Sequence, residues 1–166
     1  MKARVYKSTG SWYILKDEAG NQYNGRIKGI LKIDGITSTN PIAVGDWVDV
    51  EHENEGEKTV TITAIHDRVN YIARVSPHRK VQHHIISSNL DQALLFATLR
   101  EPRTSQGFID RFLITAEAYH IPAIIVFNKA DIYRDKEMEK YAELEEVYTA
   151  IGYKTLLISV KDGIGT

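Results

Sequence analysis

Residues 122–131 read Pro122-Ala123-Ile124-Ile125-Val126-Phe127-Asn128-Lys129-Ala130-Asp131. An apolar run of this length, opened by a proline and closed by a polar turn, predicts a buried strand that ends at Phe127. Ala93-Leu94-Leu95-Phe96-Ala97 upstream is a second such run, expected to be buried on both faces, and Thr155-Leu156-Leu157-Ile158 downstream is a third. Between the first two, Ile109, Phe112, Leu113, Ala116 and Tyr119 recur at helical spacing, which predicts a helix over 108–120. Between the last two, Met138, Tyr141, Leu144 and Tyr148 form one stripe of a helix over 136–150, with Gly152 as its stop. Strand, helix, strand, helix, strand is the pattern of parallel βαβ units, so the second half of the chain is α/β.

The first 70 or so residues read differently. Short runs such as Trp12-Tyr13-Ile14-Leu15, Trp47-Val48-Asp49-Val50-Glu51 and the β-branched Val60-Thr61-Ile62-Thr63-Ala64-Ile65 are separated by polar turns. Gln22 to Ile33 carries Gly25 and Gly29 inside it, which suggests a bent or bulged strand. Five short strands in this length predict a small closed barrel, best suited to an OB-fold, with an SH3-like barrel as the competing architecture. The expected organisation is a barrel over 1–72, a basic connector over 73–88 and an α/β unit over 89–166.

Composition sets the limits on function. The chain has 166 residues, 43% of them apolar and 26% charged, which suits a folded protein with a real core. It has no cysteine, which removes disulfides, thiol nucleophiles and Cys-ligated zinc or iron–sulfur sites from this chain. No apolar run approaches the roughly 18 residues of a membrane helix, and no secretory core follows Met1, so no membrane partner and a cytoplasmic location are expected. The net charge of −1 covers a split: residues 1–90 carry 12 Lys/Arg against 10 Asp/Glu, and residues 91–166 carry 9 against 12. Arg68 to Leu90 holds Arg68, Arg74, Arg79, Lys80, His78, His83 and His84 and no acid, as a solvated connector or a phosphate-contacting surface would.

The chemistry sits in Asn128-Lys129-Ala130-Asp131, at the carboxyl end of a parallel strand, where ligands bind in open α/β sheets. Guanine presents two adjacent donors, N1–H and the 2-amino group, and the Asp131 carboxylate can accept both as a charge-assisted pair. Adenine lacks that donor pair, and a site built on hydrogen bonds rejects such an analogue strongly. Asn128 can brace the loop and reach the base edge, and the methylene stem of Lys129 can cover a face of the base. Ser159-Val160-Lys161 follows the next strand, which places it beside the first loop, with backbone N–H groups suited to the guanine O6.

The phosphate-binding G-x-x-x-x-G-K-[ST] loop is absent from the chain. Gly56-Glu57-Lys58-Thr59 has the wrong order, and Asp17-Glu18-Ala19-Gly20 reads as a hairpin turn. With only a barrel ahead of N-K-x-D, the α/β unit is either circularly permuted, its phosphate loop lying downstream, or no nucleotide site at all. The whole chain resembles the ribosome small-subunit-dependent GTPase A family (RsgA, also called YjeQ). The resemblance runs through Val44-Gly45-Asp46-Trp47-Val48, Asn89-Leu90-Asp91-Gln92-Ala93, Ile109-Asp110-Arg111-Phe112-Leu113, Asn128-Lys129-Ala130-Asp131 and Ser159-Val160-Lys161-Asp162-Gly163-Ile164-Gly165. Val160 stands where the usual Ser-Ala-Lys loop has alanine.

The resemblance implies an OB-fold, then the first part of a circularly permuted P-loop GTPase domain. It implies a ribosome-associated GTPase of 30S subunit maturation, with GTP or GDP as nucleotide, the 30S subunit and 16S rRNA as partners, and a monomeric full-length protein. Magnesium and zinc would belong to family segments outside this chain, as would the catalytic residues. The chain alone is expected not to hydrolyse GTP. Three strands and two helices leave a sheet edge and apolar surface uncovered, so low stability or self-association is expected. The alternative is an RNA-binding OB module without a nucleotide site.

For RNA, Arg26, Lys28, Arg74, Arg79 and Lys80 are the candidate phosphate contacts, and Trp12, Tyr13, Tyr23 and Trp47 the candidate stacking platforms. No metal site is expected in this chain; the His78, His83, His84 group has no carboxylate near it in sequence.

Overall fold

The computed structural model describes residues 1–27, 41–54, 56–75 and 83–166. They form two compact units, Met1–Leu90 and Asp91–Thr166.

The first unit contains a closed barrel of β1 (Lys2–Ser8), β2 (Tyr13–Asp17), β3 (Gln22–Ile27), β4 (Trp47–His52) and β5 (Thr59–Ile65). The strand order is β1-β2-β3-β5-β4, closing back to β1. All pairs are antiparallel except β3 with β5, in which Asn24 faces Thr59 and Ile27 faces Ile62. That order is the OB-fold and excludes the SH3-like alternative. Alternation sends Ala3, Val5, Tyr13, Leu15, Val48, Val50, Val60 and Ile62 inward, where Ile42 joins them. Gly25 is in this core because there is no room for a side chain: a Cβ would lie 2.5 Å from Leu15 Cδ1. Over Gln22–Ile27 the glycine marks a close approach of strands with no register shift, while Gly29 and the rest of the stretch read as bent or bulged lie outside the described residues. Among the described residues of the barrel, register shifts fall instead in β1, between Val5 and Lys7, and at Asp49/Val50 of β4. Asp17-Glu18-Ala19-Gly20 forms the β2–β3 turn, with Gly20 at φ +84°.

Part of the stretch read as a connector pairs instead as a hairpin: β6 (Tyr71–Val75) and β7 (His83–Ser88), with Arg74 opposite His84. Its polar, histidine-rich composition hides the β-branched alternation that a strand reading needs. Arg68 also leaves the expected basic run. Its guanidinium donates to both oxygens of the fully buried Asp46, at 2.7 and 2.6 Å.

In the second unit, β8 (Ala93–Ala97), β9 (Ala123–Phe127) and β10 (Lys154–Leu157) form a parallel sheet in the order β10-β9-β8. Helices α1 (Gln106–Ala118) and α2 (Asp135–Ala150) connect them. Ser105 caps α1, its Oγ accepting from the Phe108 N–H, which starts the helix at Gln106, two residues before the expected start at 108. Glu137 accepts from the Arg134 N–H at the start of α2. Gly152, at φ +93°, stops α2 as expected. The buried faces of both helices, Ile109 and Leu113 of α1 and Tyr141, Leu144 and Tyr148 of α2, share one core with Leu95, Ala97, Ile125 and Phe127. Met138, placed on the apolar stripe by spacing, is exposed.

One expectation fails in this unit. β8 is buried on one face only: Leu94 is 52% and Phe96 55% exposed. Both helices pack on the Leu95 side, so the opposite face of this edge strand has no cover among the described residues.

Candidate functional site

Three polar loops converge at the carboxyl ends of β8, β9 and β10. The Phe127–Asn128 turn is anchored on both sides: the Asn128 N–H donates to the Ala97 carbonyl at 2.9 Å, and the Ile158 N–H to Phe127 at 2.8 Å. Lys129 adopts φ +68°, the left-handed conformation that turns the chain sharply and starts the 3₁₀ turn Ala130–Ile132. The Asn128 side chain holds this turn, its Oδ1 accepting from the Lys129 N–H at 2.7 Å and from the Val160 N–H at 3.1 Å. The same amide oxygen thus ties the N-K-x-D turn to the loop after β10.

Asp131 is tied to that loop as well. Ser159 Oγ donates to Asp131 Oδ1 at 2.7 Å and accepts from the Asp162 N–H at 3.2 Å. The Lys161 ammonium stands 3.6 Å from Asp131 Oδ2. The Ser159 hydroxyl holds the Asp131 carboxyl below the usual carboxylate range against a smaller opposing effect of desolvation, with lesser help from its own backbone N–H and then from the Lys161 charge. It is therefore a charged acceptor at neutral pH. Ser159 itself is fixed by a two-way backbone bridge to Ile164, at 2.9 and 3.0 Å.

Asn128, Lys129, Asp131 and Lys161 line one cleft of about 370 Å³, together with Glu101 and Ile132. A cleft of this size accommodates a nucleobase and part of a sugar. Of the backbone N–H groups of this loop expected to face a ligand, that of Val160 is engaged with Asn128 Oδ1, and that of Lys161 makes no hydrogen bond among the described residues, which makes it the better donor toward a ligand oxygen. The Lys129 ammonium donates to the Glu101 carbonyl, which lays its stem along the cleft wall.

Sequence reasoning missed the loop after β8. The Tyr133 hydroxyl donates to the Asn128 carbonyl at 2.8 Å and accepts from the Leu99 N–H at 2.9 Å. Arg100 Nη1 donates to the Ile132 carbonyl at 3.3 Å. Burial pushes the Tyr133 phenol up, so it stays a protonated donor. A lone tyrosine two residues after Asp131 carries no periodic signal, and only the fold brings Leu99 to it. Tyr133→Phe removes both bonds while keeping the ring. It is expected to speed exchange of the Leu99 amide roughly fivefold, since a hydrogen bond contributes about 1 kcal/mol. Unchanged protection in amide exchange by NMR would contradict the clamp.

The candidate RNA contacts are scattered by comparison. Arg26 is held by Glu53 in a bidentate pair at 2.8 and 2.6 Å and lies 5.5 Å over the Trp12 ring. Tyr13 is core and cannot stack on a base. Tyr23 is half-buried, its hydroxyl on Asp17. Trp12 is 45% exposed, and Trp47 carries Lys2 at 4.7 Å and Arg4 at 5.7 Å from its ring. Arg74 lies on β6, while Lys28, Arg79, Lys80 and His78 fall outside the described residues.

Among the described residues no group of three or more His, Asp or Glu is placed to hold a metal ion. With no cysteine in the chain, a Cys-ligated zinc site cannot be built from it.

Known proteins are similar to this chain in sequence and fold. The family model described as RsgA GTPase matches residues 65–166, and the RsgA N-terminal domain matches residues 2–60. The small ribosomal subunit biogenesis GTPase RsgA of Flavobacterium johnsoniae is 51% identical over 166 residues, covering 99% of this chain and 51% of the relative. That of Cytophaga hutchinsonii is 47% identical over 161 residues, covering 97% and 52%. The chain thus spans about half the length of the curated relatives it matches. Among solved structures, YjeQ from Thermotoga maritima superposes with TM-score 0.74 at 27% identity, over 99% of this chain and 53% of that one. YloQ, a circularly permuted GTPase, superposes with TM-score 0.66 at 30% identity, over 96% and 52%.

Proposed function

Because the chain belongs to the RsgA GTPase family, we propose that it is the N-terminal part of a ribosome-associated GTPase acting in the cytoplasm on 30S subunit maturation. In this reading residues 1–72 contact 16S rRNA, and residues 89–166 are the first part of a circularly permuted G domain. Asn128, Lys129 and Asp131 with Ser159, Val160 and Lys161 hold the guanine of GTP or GDP.

One observation carries the guanine assignment: a carboxylate kept ionised by Ser159 and Lys161, in a cleft whose walls are the Lys129 stem and the Asn128 turn. Such an acceptor pairs with the N1–H and 2-amino donors of guanine and has no match on adenine. The reading of Arg26, Lys28, Arg74, Arg79 and Lys80 as rRNA contacts rests on charge and on the OB-fold, whose β2–β3 face and adjoining loops bind oligonucleotides. Arg26 can serve a phosphate only after leaving Glu53. No helix among the described residues is long and apolar enough to cross a membrane.

Guanine-nucleotide binding by the full-length protein, measured by fluorescence titration of GDP against ADP, tests the reading. Salt-dependent RNA binding without any response to GDP would replace it with the RNA-module alternative.

The Leu94–Phe96 face of β8 follows from the same reading as the surface on which the remaining half of the G domain packs. The isolated chain is expected to self-associate through it, and Leu94→Lys with Phe96→Lys to suppress that. Sedimentation of the unsubstituted chain as a stable monomer would contradict this assignment.

A further inference from the structure

On the outside of the second unit, away from the loops at the strand ends, the carboxyl-terminal halves of α1 and α2 leave an apolar groove of about 550 Å³. Ile114 on α1 and Ile151 just past α2 stand at its lips, 68% and 65% exposed. Two carboxylates flank it, Asp110 and Glu117, both on α1. Seven residues apart on a helix, they are two turns and about 10 Å from each other on one face. The Tyr148 hydroxyl donates to Asp110 Oδ1 at 2.8 Å, and burial, with the Glu117 charge as a smaller cause, pushes the Tyr153 phenol up. No Lys or Arg lines the groove, and no described ion pair involves either acid.

We propose that this groove docks an amphipathic helix of a partner protein, one that carries Lys or Arg two turns apart around an apolar stripe. The cations meet Asp110 and Glu117, and the stripe covers Ile114 and Ile151. The argument is charge complementarity on a preformed apolar floor. The Tyr148 hydroxyl orients the Asp110 carboxylate and leaves it acceptor capacity, so a cation there gains a ready partner at little ordering cost, with Glu117 as the second carboxylate two turns on. The same charges repel a phosphate backbone, which disfavours RNA here. Helix-in-groove recognition of this kind reads anchors at helical spacing, and the seven-residue interval of the acids sets the spacing demanded of the partner's cations.

The probe is a synthetic 16-residue helical peptide with leucines along one stripe and arginines at positions i and i+7 beside it, labelled for fluorescence anisotropy. It is expected to bind the 166-residue chain and the full-length protein alike, and the same peptide with glutamate for both arginines is expected not to bind. Glu117→Gln should weaken binding roughly two- to fivefold, as loss of a partly exposed ion pair does, and Ile114→Asp roughly tenfold or more. Neither substitution lies near the strand-end loops, so GDP binding by the full-length protein should not change. Equal binding of both peptides, or none at 100 μM peptide, a concentration roughly typical of weak peptide recognition, overturns the proposal. So does binding by the chain but not by the full-length protein, which would make the occupant the protein's own remainder. Conversion of a dimer to a monomer by Ile114→Asp would assign the groove to a second copy and equally overturn it.

Discussion

Asp131→Asn in the full-length protein is expected to weaken GDP binding roughly a hundred- to a thousandfold and to strengthen XDP binding by a comparable factor. The carboxylate accepts two parallel charge-assisted hydrogen bonds from guanine, each contributing about 1.5–3 kcal/mol. An amide at the same place offers one acceptor and one donor. It loses the match to the 2-amino group and gains one to the 2-oxo group of xanthine. The rest of the site is prepared for the exchange, because Asn128 Oδ1 and the Ser159 bridge to Ile164 hold both loops without help from Asp131. Ser159 Oγ, which donates to the carboxylate at 2.7 Å, can donate equally to the amide oxygen. Competition titrations with GDP and XDP read the result directly. Equal GDP affinity in the two proteins would remove Asp131 from guanine recognition and with it the guanine reading of the cleft.

The pH dependence has a definite sign. Ser159 and Lys161 lower the Asp131 pKa relative to an unfolded chain. The clamp therefore contributes its full stabilisation above the ordinary carboxylate range and loses it as pH falls through the lowered value. GDP binding should hold through the mildly acidic range and fail only below it. A midpoint for loss of binding above the usual carboxylate pKa would point to another titrating group.

How much of this could be read in advance differs between residues. The parallel sheet, its two helices and the meeting of Asn128–Asp131 with Ser159–Lys161 follow from apolar runs and from right-handed βαβ order, both of which are local or nearly so. The division of labour inside the site does not. That Asn128 takes the Val160 N–H, or that Tyr133 joins Asn128 to Leu99, depends on contacts 32 and 34 residues apart in sequence. An apolar run such as Ala93–Ala97 shows that a strand can be buried but not on how many faces, since that depends on where both helices pack. Arg68 reads as part of a basic run because charge is visible in sequence and its partner, 22 residues earlier, is not. Gly25 and Gly45 do not differ in what the sequence says of the space around them. Only coordinates separate the first, excluded from bearing a side chain by Leu15, from the second, which also requires a positive φ.

Asp46 and Arg68 are expected to produce the largest loss of stability in the chain. Asp46 is fully buried, and its carboxylate accepts four bonds: two from Arg68, one from the Ala43 N–H at 2.8 Å and one from Ser88 Oγ at 2.5 Å. The Arg68 side chain is 9% exposed and also reaches the Pro41 carbonyl at 2.8 Å. One ion pair therefore joins the 41–46 turn, the segment after β5 and the end of β7. Removing either partner alone leaves a buried charge without its counterion, which costs about 3–5 kcal/mol. For a unit of this size that corresponds to a fall in Tm of roughly 15–30 °C. Arg68→Ala should be no milder than Asp46→Ala, because it strands the more deeply buried charge. Arg68→Met with Asp46→Leu should recover part of the loss, since an apolar pair of similar volume carries no desolvation cost. Gly45→Ala should act in the same place by a different cause: its backbone sits at φ +95°, and a Cβ would lie 2.0 Å from the Ser88 carbonyl oxygen. Both tryptophans, Trp12 and Trp47, belong to the first unit, so their fluorescence follows its unfolding without a signal from the second. A thermal midpoint within about 3 °C of the parent for Arg68→Ala, less than 1 kcal/mol on the same scale, would show that the buried pair does not hold the barrel's turn in place.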